Sequence, residues 1–74
     1  MPSVLVEVRR SYEPEQVSAL LSAVHSALSG AFRLPPQDRN LRLLAYDPDR
    51  FLCPPTLVQP DRFTQITVDA FPGR

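Results

Sequence analysis

The polar and apolar positions change period four times along this chain. Residues 3–8 alternate: Val4, Val6 and Val8 fall on one side, Ser3, Leu5 and Glu7 on the other, and the β-branched content predicts a first strand. From Pro14 the spacing becomes helical. Val17, Leu20, Leu21, Val24 and Leu28 follow i, i+3, i+4, i+7 and i+11, which predicts an amphipathic helix over 14–29. Pro14 suits a first turn, Glu13 and Glu15 suit the positive end of the helix dipole, Gly30 offers a stop, and Pro35-Pro36 forbid continuation. Residues 40–46 alternate again, with Leu41, Leu43 and Ala45 opposite Arg42, Leu44 and Tyr46; apolar residues on both sides predict a second strand covered on both faces. Pro48, Pro54, Pro55 and Pro60 make 47–62 a loop, and alternation over 63–71 predicts a third strand.

Strand, helix, strand implies a right-handed β-α-β unit with parallel strands, to which the third strand is added: an α/β (α+β) fold in a single domain over residues 1–74. A domain this small buries only about 60% of its unfolded surface, so its core is marginal. One helix cannot cover a three-stranded sheet, and the exposed edges and apolar surface call for another chain. An oligomer is the expectation. A weak internal echo, Val6-Glu7-Val8 before Arg10 and Val68-Asp69-Ala70 before Arg74, places the end of the sequence where a second such unit would begin its helix.

Composition narrows the partners. Eight arginines balance eight acidic residues, which removes the long-range field of a nucleic-acid or acidic-membrane binder. No lysine is present, so Schiff-base chemistry through an ε-amine and a P-loop lysine are excluded, and two glycines do not build a phosphate cradle. The one cysteine, Cys53, makes neither an internal disulfide nor a zinc site and reads as a small apolar side chain. No apolar run reaches the roughly 18 residues of a membrane span, and Glu7 interrupts the stretch where a signal peptide would need its apolar core. The expectation is a soluble, cytoplasmic chain whose mature form starts at residue 1 or 2.

With the common catalytic motifs absent, the chemistry that remains is the amino terminus. Pro2 becomes a free secondary amine once Met1 is removed, and an α-amino group titrates at about 7.7–8.0 in peptides, close enough to neutrality for acid or base work. A Met-Pro start followed by strand, helix and strand resembles the tautomerase superfamily. The stretch Ala31-Phe32-Arg33-Leu34-Pro35-Pro36-Gln37-Asp38-Arg39, with Ala23-Val24-His25 upstream, resembles malonate semialdehyde decarboxylase and its relatives, and the likeness runs without gaps from Pro2 to about Pro48. The closing stretch from Phe63 to Arg74 also looks like the strand that opens the second half of longer members.

The resemblance implies a tautomerase/MIF-like fold, a homo-oligomer (a hexamer, else a trimer, with a hetero-oligomer as a variant), no cofactor and a small oxo or unsaturated acid as substrate. It makes Pro2 the catalytic amine and Asp38 the acid that supports it when cationic. A carboxylate beside an ammonium favours acid catalysis, whereas arginines and a dry pocket favour proton abstraction. Keto-enol tautomerisation is the first expectation, and decarboxylation or hydration with cationic Pro2 and Asp38 the second. A non-catalytic assembly subunit is the third. Bidentate arginine is the usual partner of a substrate carboxylate. The candidates are Arg10, Arg39, Arg42 and Arg74, with Tyr46 as a hydrogen-bonding neighbour. The register departs from the family: the arginine that ends strand one in 4-oxalocrotonate tautomerases falls on Tyr12, and only Arg74 stands near the decarboxylase's later arginine pair. Structural roles compete for several of these residues. Asp38 suits a turn, Arg42 is placed to pair with Glu7 across the sheet, and His25 sits on the flank of the helix stripe.

Overall fold

A computed structural model describes residues 3–35 and 37–69. Strand β1 (Ser3–Val8) leads into helix α1 (Pro14–Phe32), strand β2 (Leu41–Ala45), two single 3-10 turns (Pro48–Arg50 and Pro60–Arg62) and strand β3 (Thr64–Asp69). The sheet order is β2-β1-β3. Strand β1 runs parallel to β2, with Val4 beside Leu41 and Val8 beside Ala45, and antiparallel to β3, with Ser3 beside Asp69 and Val8 beside Thr64. The result is a small α+β fold: one helix on a mixed three-stranded sheet, containing the expected β-α-β unit.

The strict alternation in β1 becomes the core. Val4, Val6 and Val8 are buried, the last two completely, and Tyr12, Leu20, Leu21, Val24, Leu28, Leu41 and Leu43 pack around them. The helix therefore covers β1 and β2 with the apolar stripe read from the sequence. Its entry is fixed by Pro14 in the first turn and by the Glu13 N–H, which donates to Gln16 Oε1 at 2.9 Å.

The helix does not stop at Gly30. It continues to Phe32 and ends at Arg33, which adopts the left-handed conformation at φ 57°, with the Leu34 N–H closing on the Ser29 carbonyl at 3.1 Å. Val24, Leu28 and Phe32, spaced four apart, are all half-buried. One further apolar position on the stripe outweighs the cost of glycine inside a helix, about 1 kcal/mol.

Strand β2 is an edge strand, and only Leu41 and Leu43 turn under the helix; Arg42, Leu44 and Ala45 are exposed. The two-sided apolar content of 40–46 does not mark a strand covered on both faces within this chain. Strand β3 is likewise uncovered. Ile66 and Val68 stand beside Val6 and Val4 on the helix side of the sheet, yet remain 48% and 37% exposed because α1 lies over the other two strands. Strand bounds are one residue tighter than expected where the structure describes them: 41–45 for 40–46, and a start at Thr64 rather than Phe63, while the expected end of that strand at 71 lies outside the described residues.

Candidate functional site

The parallel crossover sorts the candidate residues to opposite ends of the sheet. At the end where β1 begins, the Val4 N–H donates to the Asn40 carbonyl at 2.9 Å, which fixes the turn 37–40 beside Ser3. That turn is closed by the Asp38 N–H on the Pro35 carbonyl and the Arg39 N–H on the Gln37 carbonyl, both at 3.0 Å. Asp38 is half-buried there, with Oδ1 shielded from solvent. Arg42 reaches across from β2 and donates through a terminal nitrogen to Ser3 Oγ at 3.3 Å. The pairing of Arg42 with Glu7 is thereby corrected: Arg42 stands beside Leu5 in the register, and Glu7 is taken by Tyr46. Asp69, the β3 neighbour of Ser3, adds a second carboxylate to this end. Sequence reading passed over both Ser3 and Asp69, although the alternation of the two strands and their antiparallel pairing would have matched them.

Arg39 takes a different direction from Arg42. It lines an open groove of about 440 Å³ between α1 and the start of β2, together with Ser18, Leu21, Ser22, His25, Ser26 and Leu41. Pro2 and Arg74, both expected in the site, lie outside the described residues.

Arg10 and Tyr46 sit at the other end of the sheet. Ser3 and Val8 are five residue steps apart, about 17 Å at the usual strand rise, so one small acid cannot touch Arg10 and Arg42 of the same chain. Arg10 is exposed and lies over the Tyr12 ring, 5.2 Å from its centroid. The Tyr46 hydroxyl donates to Glu7 Oε2. This hydrogen bond, then burial and the negative charge of Glu7, raise the Tyr46 pKa above the usual 10, so the phenol is a neutral donor throughout the ordinary pH range. Its ring meets Phe51 edge to face at 5.1 Å, and Phe51 meets Phe63 in the same way at 5.6 Å.

Arg9 organises this end. Its side chain is 12% exposed, and its terminal nitrogens donate to the Pro48 carbonyl at 2.9 Å and the Pro60 carbonyl at 3.1 Å. Asp61 lies 4.0 Å away and is largely exposed, a contact that contributes little. The two prolines open identical tetrapeptides, Pro48-Asp49-Arg50-Phe51 and Pro60-Asp61-Arg62-Phe63; each contains a 3-10 turn and ends in one of the two phenylalanines that meet edge to face. This repeat was the available signal for a role of Arg9, and it lay inside what the prolines marked only as loop.

Chemically, the β1 entry end offers the Asp69 carboxylate and the Arg42 guanidinium beside Ser3, with Asp38 on the adjoining turn, and the far end offers a neutral phenol on a carboxylate. Among the described residues no group of three or more His, Cys, Asp or Glu side chains is arranged to hold a metal ion, and no helix is long and apolar enough to cross a membrane. Comparison with protein-family profiles, with curated proteins and with solved structures gives no match to this chain.

Proposed function

We propose that this chain is a subunit of a cofactor-independent enzyme of the tautomerase superfamily, moving a proton on a small enolisable oxo acid through the amine of Pro2. The observation that carries the reading is topological. The strand that follows Pro2 starts at Ser3, in the middle of the sheet, and the parallel crossover delivers Asp38 and Arg42 to that same end. A free secondary amine there would take a proton from the carbon next to the oxo group and return it to the oxygen of the resulting enolate, giving the enol and freeing the amine. Arg42 is the guanidinium for the substrate carboxylate, since its bond to Ser3 Oγ occupies only one of its five N–H donors.

A decarboxylase-like or hydratase-like reaction is the second reading, favoured by the half-buried Asp38 on the turn beside Ser3. Carboxylates near an ammonium keep it protonated, and a cationic proline works as an acid rather than a base. The pH profile separates the two: a base must be deprotonated, so tautomerase activity rises as the amine loses its proton, whereas acid catalysis falls over the same interval.

The oligomeric part of the proposal rests on surface. The chain exposes 5509 Å², whereas a compact globular protein of 8.3 kDa exposes about 4,600 Å². Leu44, Ile66 and Val68 are the large apolar residues that the sheet leaves uncovered. Arg10 and Tyr46, out of reach of the entry end in their own chain, serve a site only if a neighbouring chain brings them there. Assembly as hexamer or trimer meets that need, and a purely assembling subunit is the reading that survives if catalysis fails.

The decisive measurement is turnover of Pro2→Ala on small oxo acids. The expected result is loss of at least about a hundredfold with unchanged circular dichroism, the usual size of an acid-base contribution. Full activity in this variant overturns both catalytic readings. Intact mass on the same preparation reports whether Met1 has been removed, because a retained Met1 turns the proline nitrogen into an amide without a basic lone pair.

A further inference from the structure

We infer that the groove between α1 and the start of β2 is a second ligand site, one that takes a small organic carboxylate with a short hydrocarbon tail. It is lined by Ser18, Leu21, Ser22, His25, Ser26, Arg39 and Leu41, and by no residue of β1, the strand that follows Pro2. Its volume of about 440 Å³ falls in the range of small-molecule pockets, about 300–1,000 Å³.

Its chemistry is one-sided. The lining holds one guanidinium, one imidazole and three hydroxyls, and no carboxylate. Arg39 comes from the turn before β2 and His25 from the middle of the helix, so the two nitrogen groups approach the groove from separate elements, with the serines at i, i+4 and i+8 along one wall. The Ser29 hydroxyl stands 3.4 Å from His25 Nε2 and 3.5 Å from Nδ1, which tethers the ring from the next turn of the helix. Leu21 and Leu41 are half-buried and supply the apolar wall.

A groove lined by an arginine, serines and two leucines matches an acid whose carboxylate pairs with Arg39. Its oxo or hydroxyl oxygen meets the serines and His25, and its alkyl chain lies on Leu21 and Leu41. A bare inorganic anion would satisfy Arg39 and leave the leucines in water. A polyanion would need more than one fixed positive charge. Among the described residues neither Asp38 nor Arg42 lines the groove, so the side chains that would pair with its ligand differ from those of the proposed reaction.

The test is an amide NMR titration of the full-length protein with 2-oxohexanoate, with its methyl ester and with inorganic phosphate. The expected result is saturable shifts that cluster at residues 18–26 and 39–41. Affinity should fall about tenfold in Arg39→Gln, the scale of one charge-assisted pair, and severalfold in Ser22→Val. Both variants are checked for fold by the unshifted amides of β1 and β3. Equal binding of the methyl ester, equal binding of phosphate, shifts unaffected by Arg39→Gln, or no localised shifts at millimolar ligand would each overturn the inference. The outcome is independent of the catalytic proposal, because Pro2→Ala reads turnover and Ser22→Val reads occupancy of a groove that excludes β1.

Discussion

The half-buried Arg9 donates to two backbone carbonyls and so holds both ends of a proline-rich segment. Replacing it by alanine removes two charge-assisted hydrogen bonds and leaves two carbonyls to find water. The expected loss is about 2–3 kcal/mol in urea unfolding, with faster proteolysis between the two turns, while Arg9→Lys, which cannot fork to both carbonyls, restores only part. Tyr46 makes a prediction about alkali. Its pKa is raised in the folded chain by the bond to Glu7, so the contribution of that bond is fully present below pH 10 and is lost as pH rises through the higher folded value. Ultraviolet titration should show one of the two tyrosines ionising late, and Glu7→Gln should bring it back toward 10. Little of this was legible in advance. Arg9 follows a strand and looks like any surface arginine, and Arg42 pairs with Ser3 rather than Glu7 because register, which a pattern of two-residue period cannot fix by itself, chooses the neighbour.

At the scale of elements the pattern is far more informative. Val4, Val6 and Val8 were readable as one face of a strand and are the buried core, and the helix stripe identified Leu20, Leu21, Val24 and Leu28 as its cover. Periodicity carries such information because it reports the face a whole element buries, which averages over local accidents. Ends fare worse, since they depend on one or two residues. Gly30 has the residue type of a stop, but the stop is at Arg33, where a left-handed conformation is held without glycine. A β-carbon built on Gly30 meets nothing within 4 Å. Gly30→Ala should therefore raise stability by about 0.5–1 kcal/mol, measured by thermal or urea unfolding, and a loss would mean that the helix is interrupted at that point. The candidate site was legible only in part. Asp38 and Arg42 come to the entry end by crossover topology, whereas the separation of Arg10 and Tyr46 from them follows from strand length and direction, which a list of candidate residues does not contain.

For the whole molecule, one helix over three strands leaves an imbalance that the chain does not correct alone. The sheet leaves Leu44 exposed on one side and Ile66 with Val68 on the other, and the proposed assembly would cover both faces. Ile66→Lys should shift sedimentation toward monomer and lower stability in a concentration-dependent way, since dissociation and unfolding are linked. A wild-type chain that sediments as a stable monomer would remove the oligomeric part of the proposal.

The twin Pro-Asp-Arg-Phe turns tied to Arg9 have a practical side. Because one guanidinium holds both Pro48 and Pro60, the segment between them leaves and returns at nearly one place, and its members Leu52 and Val58 are 87% and 94% exposed. Lengthening a segment whose ends are already pinned adds little closure entropy, about 0.6 kcal/mol per doubling. A peptide tag or a small reporter spliced in near residues 54–57 should thus leave the sheet, the helix and their groove in register.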